Sequence, residues 1–493
     1  VREGIIKYLR TDGSVGQISP QQLQQMDKLG IGVNAAVLSH FKTFPAPNDP
    51  TMGDGLNSSG FRFLAPNKSK QDTYVTRLDY VIDSAARHTL FARGNLQNDH
   101  FGGVPQFPGD PPQSVFLDNS KGMALGYNVI LTSRLTGTFR YGLTRIGRES
   151  TGLQSRSMVY FRELDDRYPT SRGASRIAPT HSLSADFSWT KSSHTVQTGF
   201  VMRRIQIKRS SSERSFDDVG ADFTEMNDNE YYYALIPDLD DNYRSPLGAA
   251  LAWTMGVLPT GAAQYNFDIS GNMLPKGAPV ARNFRAREYE MYIQDTWRAT
   301  RAFTVTGGLR WSLMPPFYEA NGAQTTIVPS INEYFHTRAA YANAGIPSYK
   351  AGLLSYVPRD SPQGAPLYPY HKKNFAPRLA LAYSPQSTGG WKGRLFGGPG
   401  KTSIRLGWGM LYDMFGSGLA RWSDETSPGF SYRFQTPGTA YSSATAPRFT
   451  GVFNLPGEIL PPPPKPGWPR LSRRGQAPLS VGRWTTSCCL PIR

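Results

Sequence analysis

Residues 181–190 read His-Ser-Leu-Ser-Ala-Asp-Phe-Ser-Trp-Thr. Leu183, Ala185, Phe187 and Trp189 fall on one side of a pleated strand, and Ser182, Ser184, Asp186 and Ser188 on the other. Successive side chains of a strand point to opposite faces, so this segment separates an apolar environment from a wet one. The same alternation sets Phe303, Val305, Gly307, Leu309 and Trp311 against Thr304, Thr306, Gly308 and Arg310. It also sets Ile404, Leu406, Trp408, Met410 and Tyr412 against Ser403, Arg405, Gly407 and Gly409. Ten segments carry it: 74–83, 88–98, 123–131, 135–144, 181–190, 194–204, 287–297, 301–312, 374–384 and 402–413. Globular strands cluster near 5–6 residues, whereas a tilted strand needs about 9–11 to cross the hydrocarbon of a bilayer. The predicted segments have the second length.

The connections alternate too. Short ones (84–87, 132–134, 191–193, 299–300) close pairs of strands, and long ones (99–122, 145–180, 205–286, 313–373) separate the pairs. The stretch 384–401 is the exception. Repeated long loops are uncommon in compact soluble domains. Long loops at one end and tight turns at the other are the habit of outer-membrane barrels. A soluble sandwich or propeller also alternates, but does not explain the one-sided loops.

Charge follows the same division. A cation on the lipid face at mid-bilayer costs about 2–4 kcal/mol, falling to about 0–1 near the interface. Arg204 and Asp295 stand in the apolar register, both at segment ends. The opposite register holds Asp79, Asp186, Arg203, Glu288 and Glu290, together with Arg77, Arg93, Arg140, Arg310, Arg378 and Arg405, the candidate lumen-facing cations. Tyr74, Trp189, Trp297, Trp311, Tyr383 and Tyr412 gather toward apolar-register ends, where interfacial girdles sit.

Composition agrees. The 493 residues suit several soluble domains or one large closed β-structure. Gly 49, Pro 39 and only 18% charged residues argue against helical bundles, coiled coils and acidic disorder. The net charge of +17 brings nucleic acid to mind. Six of those charges lie in 461–493, a tail with no acidic residue, a Pro run at 461–464 and the adjacent Cys488 and Cys489. The tail reads as frameshifted or as a disordered basic extension, and the remaining charge of about +11 is scattered, so no nucleic-acid partner is expected. No stretch reaches the length of a membrane helix. The chain opens Val-Arg-Glu-Gly without Met or signal core, which suits either a cytoplasmic protein or one whose start is missing.

Candidate chemistry is sparse. The seven histidines show no metal-ligand spacing, and His88 and His194 open second hairpin strands. Residues 397–402, Gly-Gly-Pro-Gly-Lys-Thr, lack the Walker spacing and lead into a strand, so a turn is expected. Asp238, Asp240 and Asp241 suggest calcium, but Ala249 occupies the twelfth position of an EF-hand loop, and a solvated acidic loop is the better account. Tyr231, Tyr232 and Tyr233 lie in the longest loop; with those aspartates they are the candidate ligand contacts, against a default of loop packing. No catalytic residue, metal site or cofactor is expected. Near the start, Ser19-Pro20 reads as N-cap and first residue of a helical patch over 21–38, with Leu23, Met26, Leu29 and Val33 as its apolar side.

Several runs together resemble the barrel of TonB-dependent outer-membrane receptors, in the subgroup with an N-terminal carboxypeptidase-regulatory-like domain. They are Arg77-Leu-Asp-Tyr80, His88-Thr-Leu-Phe-Ala-Arg-Gly-Asn95, Phe139-Arg-Tyr-Gly142, His194-Thr-Val-Gln-Thr-Gly199, Tyr292-Ile-Gln-Asp-Thr-Trp297, Gly307-Gly-Leu-Arg-Trp311, Asn374-Phe-Ala-Pro-Arg-Leu379 and Arg405-Leu-Gly-Trp-Gly-Met-Leu-Tyr-Asp413. The resemblance covers about residues 1–455. It implies an all-β fold: a partial antiparallel transmembrane β-barrel, about ten strands of a larger 22-strand barrel, with long extracellular loops. It also implies the bacterial outer membrane, contact with its lipid, a TonB complex engaged through a plug absent from this chain, and uptake of an unidentified extracellular ligand such as a glycan or siderophore. An internal piece with open edges is not expected to transport by itself. The expected organisation is 1–73 as a loop segment with a short helix, 74–414 as strands and long loops, 415–455 as an extracellular loop and 456–493 as the tail. The alternatives are a structural or adhesive outer-membrane barrel, or a soluble carbohydrate-binding β-protein.

Overall fold

The computed structural model describes residues 1–152, 156–168, 173–352, 354–386, 389–413, 416–426 and 428–463. All ten predicted strands form, as one antiparallel sheet. We number them β1 (Ser69–Val81), β2 (His88–Gly102), β3 (Lys121–Thr132), β4 (Leu135–Gly152), β5 (Ala174–Lys191), β6 (His194–Ser211), β7 (Val280–Arg298), β8 (Phe303–Leu313), β9 (Asn374–Tyr383) and β10 (Ile404–Gly409). Each pairs with its chain neighbours, and β1 and β10 are the free edges, unpaired with each other. Turns at 133–134 and 192–193 join their strands in two residues, the second using positive φ at Ser192. At the other end β4, β5, β6 and β7 reach 18 or 19 residues, well past the predicted segments. The last strand is shorter than expected, 404–409 against 402–413.

The pairing carries the alternation across strands. Leu78, Ala92, Leu125, Tyr141, Leu183, Met202, Tyr289 and Leu313 stand side by side across β1 to β8. One residue along, Arg77, Arg93, Ala124, Gly142, Ser182, Arg203 and Glu288 form the matching row on the other face. A slip of one residue anywhere would exchange the faces. The apolar face is not a dry interior: Leu309 is 42% and Trp408 61% exposed. An apolar surface of this breadth on a sheet needs lipid against it. The other face is partly covered. Phe284 and Ala286 of β7 are buried under Phe317 and Ala420, while Arg287, next along the strand and on the opposite face, is exposed. We call the covered polar face inward and the apolar face outward.

The long connections and the N-terminal segment are not independent loops. Residues of the N-terminal segment, of the connections 145–180 and 205–286 and of the segment after β10 share one core: Ile6, Leu23, Val37, Val159, Val219, Tyr232, Trp253, Phe449 and Ile459 are all in it. A four-stranded sheet brings together Met158–Phe161, Asp218–Ala221, Thr260–Asn266 and Ser431–Thr436. The helix Arg244–Met255 is buried from Leu247 onward in this core. The apolar run near 248–258 is therefore a core helix, and no helix among the described residues is long and apolar enough to cross a membrane.

The expected organisation needs correcting at both ends. The expected 1–73 loop segment is a folded part of this loop domain up to β1, which starts at Ser69: it holds a hairpin, Ile6–Leu9 with Val15–Ile18, and two helices. The helix Pro20–Met26 has the predicted Ser19 cap, in a capping box with Gln22. It does not continue to residue 38. Gly30 and Gly32 take φ of 65° and 67°, and a second helix, Ala35–Phe41, starts at an Asn34 cap. Leu23, Met26 and Val33 face the core as expected, whereas Leu29 is exposed. At the other end, the expected boundary at 455 moves outward. Ile459 is fully buried and the Tyr265 hydroxyl donates to the Pro461 carbonyl at 2.6 Å. The cysteines and the rest of the tail, 464–493, lie outside the described residues.

Candidate functional site

Two places could meet a ligand: the inward face of the sheet and the loop domain above it. All six candidate arginines lie in the inward register. Arg77 stands opposite Arg93, Arg140 opposite Ser184, Arg310 opposite Tyr292, Arg378 opposite Gly308 and Arg405 opposite Ala382. Arg77 binds Asp79 through two 2.7 Å bonds and covers the Phe91 ring at 4.8 Å. Phe91 in turn lies over Gly126 of β3, where a Cβ would collide with its ring. That close approach explains an aromatic residue in a polar register.

The best-connected inward group was not singled out from sequence. Arg203 Nη1 lies 2.7 Å from Glu290 Oε1 and 3.3 Å from Glu288 Oε2, and Arg310 Nη2 lies 3.1 Å from Glu290 Oε2. Both glutamates are buried. Glu290 has two guanidinium partners and Glu288 one, and buried carboxylates so paired are tolerable where unpaired ones would not be. Only the cross-strand register reveals this cluster, because residues 203, 288 and 310 are distant in sequence. Of the six predicted arginines, it includes only Arg310.

The candidate loop residues separate. Tyr232 and Tyr233 are core residues, 0% and 6% exposed, with Tyr232 edge-on to Phe223 at 4.9 Å. They are not surface contacts, which corrects two of the three tyrosines. Burial pushes the Tyr233 hydroxyl up to about 12. Tyr231 alone is open, and Lys28 lies over its ring at 4.6 Å. The three aspartates do not converge. Asp238 sits at φ 54° and accepts from Thr11 N through its carbonyl, Asp240 caps Asn242 N at 2.8 Å, and Asp241 pairs with Arg244 at 2.9 Å. Among the described residues no group of three or more acidic, His or Cys side chains is placed to hold a metal.

What the loop domain does contain is a cavity of about 940 Å³, with Phe44, Phe61, Phe107 and Met52 on its apolar wall and Arg2 and Lys7 among its polar ones. Phe107 is edge-on to Phe44 at 5.7 Å and to Phe61 at 5.9 Å. Arg167 lies over Phe107 at 5.0 Å and is held by Asp110 at 2.7 Å. Burial, then the nearby Arg167 charge, pull the His40 pKa down to about 4, so its ring is neutral against Phe161 at 5.6 Å. The cavity draws on segments 1–61, 106–107, 163–165 and Trp253, which no local pattern connects.

The outer membrane β-barrel domain family matches residues 13–482. The chain belongs to that family. Its place is therefore the bacterial outer membrane, and the outward face is the one that lipid covers. Among solved structures, the copper transporter OprC is 9% identical with a TM-score of 0.34, over 70% of this chain and 37% of its own. FpvA of P. aeruginosa, solved with heterologous pyoverdines and iron, is 9% identical with a TM-score of 0.35, over 65% and 34%. The unliganded ferric citrate transporter FecA is 12% identical with a TM-score of 0.29, over 69% and 40%. This barrel chain spans well under half the length of each of the three. No curated protein matches it.

Proposed function

We propose that the chain is the strand-and-loop portion of a TonB-dependent receptor, related to those that carry an N-terminal carboxypeptidase-regulatory-like domain, and serves energised uptake of a large, scarce ligand. The ten strands are then an arc of a 22-strand barrel, and the edges of β1 and β10 pair with strands outside this chain. The observation that carries the reading is the combination of a lipid-facing stripe continuous over the sheet with a folded loop domain at one end. A tight channel protein needs no such domain, whereas ligand capture does. In this reading the aromatic cavity receives the ligand, the inward arginines form an electropositive wall that draws anionic cargo inward, and a plug pulled by TonB opens the way. No covalent step and no cofactor are involved.

The test uses cells that carry the full-length gene as their sole receptor of this kind. Uptake of labelled ferric chelates and of labelled oligosaccharides is followed with TonB present and deleted. Accumulation of one class that stops without TonB is the expected result. Accumulation indifferent to TonB, or cell-surface retention of every probe without entry, would overturn it in favour of a barrel that displays its loops.

A further inference from the structure

The adjacent residues Arg203 and Arg204 point to opposite faces of β6 and have opposite electrostatic circumstances. Arg203 faces inward between Glu288 and Glu290. Arg204 faces outward and stands directly across from Arg287 of β7. Both outward arginines are exposed, and no described residue gives either an ion pair or a hydrogen bond. Further along the same face come Arg285, opposite Gln206, and Lys208, opposite Asn283. Arg285 Nε is buried without a hydrogen-bond partner. From Leu183 to Ser175 on β5, Met202 to Ser210 on β6 and Tyr289 to Ala281 on β7, the outward register contains no carboxylate. Like charges set directly opposite on a sheet repel, and no carboxylate among the described residues pairs with either of them here.

Their level in the membrane suggests what does. Arg204 and Arg287 lie one row beyond Leu183, Met202 and Tyr289, on the side of the long loops. Two residues of strand carry the side chain about 7 Å along the strand, from the Leu183, Met202 and Tyr289 row toward the headgroup layer of the outer leaflet. Basic side chains at that level attract anionic headgroups. A guanidinium offers a planar fork that matches phosphate oxygens.

We propose that this patch, Arg204, Arg287, Arg285 and Lys208 on β6 and β7, binds the phosphate groups of an outer-leaflet glycolipid. The inference rests on the outer-membrane location and on strand register, not on the transport reading, so either can fail alone. The test is native mass spectrometry of the full-length protein in detergent. It is titrated with a bis-phosphorylated, acylated glucosamine disaccharide and with the same glycolipid after phosphate removal. Wild type is expected to bind the phosphorylated form at least tenfold more tightly. The double variant Arg204→Gln/Arg287→Gln is expected to lose that tenfold preference. Lys191→Gln, outward at the short-turn end of β5, is expected to keep it. Equal binding of both glycolipids by wild type overturns the proposal, whether or not the double variant folds. So does an undiminished preference in a folded double variant.

Discussion

The Tyr292 hydroxyl on β7 donates to Asp186 Oδ1 on β5 at 2.9 Å, reaching across β6 at Gly199. A Cβ at Gly199 would collide with the phenol ring and lie 2.5 Å from the carboxylate. One missing side chain therefore lets a second one tie three strands together. Tyr292→Phe removes only the hydrogen bond and is expected to cost about 1 kcal/mol. Gly199→Val displaces the ring as well and is expected to cost about 2–3 kcal/mol. Urea midpoints of the protein refolded into vesicles measure both. If Gly199→Val were no worse than Tyr292→Phe, the close approach would not matter.

Asp295 is a carboxylate in the outward register, opposite Val196 and Gly307. Its Oδ2 lies 2.6 Å from His194 Nδ1, and the His194 ring stacks on Trp297 at 5.7 Å. At this position the charge on the apolar face has both a partner and the interface at hand. His194→Leu is expected to destabilise by roughly 1–2 kcal/mol, because Asp295 is left without that partner. Adding Asp295→Val should recover most of the loss. A double-mutant cycle reads the coupling, and strict additivity would refute it.

Arg448 and Asp27 join the two ends of the loop domain. Their ion pair is 2.8 Å long, with the Asp27 side chain fully buried and Arg448 13% exposed. Arg448→Met is expected to cost about 3 kcal/mol, the usual penalty for stranding a buried charge. Asp27→Asn in the same background should restore part of it. Thermal unfolding followed by the buried Trp253 makes the comparison, and a single variant as stable as wild type would be incompatible with the pair.

Two titrations in the loop domain oppose each other. His40 has a folded pKa of about 4, below its ordinary 6.5, so its contribution to stability is present at neutral pH and is lost as pH falls through that window. Asp166 is raised to about 6, by burial and then by Asp165 and Asp218, so its ionisation weakens the fold as pH rises from about 4 to 6. Each is expected to contribute on the order of 1 kcal/mol after allowance for partial exposure. His40→Phe should leave stability falling with pH between 4 and 6.5. Asp166→Asn should leave it rising. Melting temperatures across that range check both signs, and parallel profiles for the two variants would contradict them.

The strands were legible because a membrane β-strand has two different solvents, one on each face, and alternation records that locally. That is why Phe187, Leu309 and Trp408 could be assigned to the outward face without any tertiary contact. Arg310 was placed correctly in register, but its partner Glu290 was not foreseeable, because a pairing depends on strand order and shear as well as on face. Tyr232 and Tyr233 were misread for a related reason. An aromatic run in a long loop looks the same whether it meets a ligand or a core, and the core here brings together residues as far apart in sequence as Ile6 and Ile459.

By itself the chain's periodicity determined the strand set, the face each residue takes, the placement of turns and the kind of solvent each face meets. All of these are local consequences of a pleat repeating every two residues. Only the tertiary structure decided that the N-terminal segment and three later stretches share one hydrophobic core, that Arg203 is neutralised while Arg204 is not, and where the aromatic cavity lies. Those features depend on which distant segments meet, and burial and charge pairing are decided at that meeting rather than along the chain.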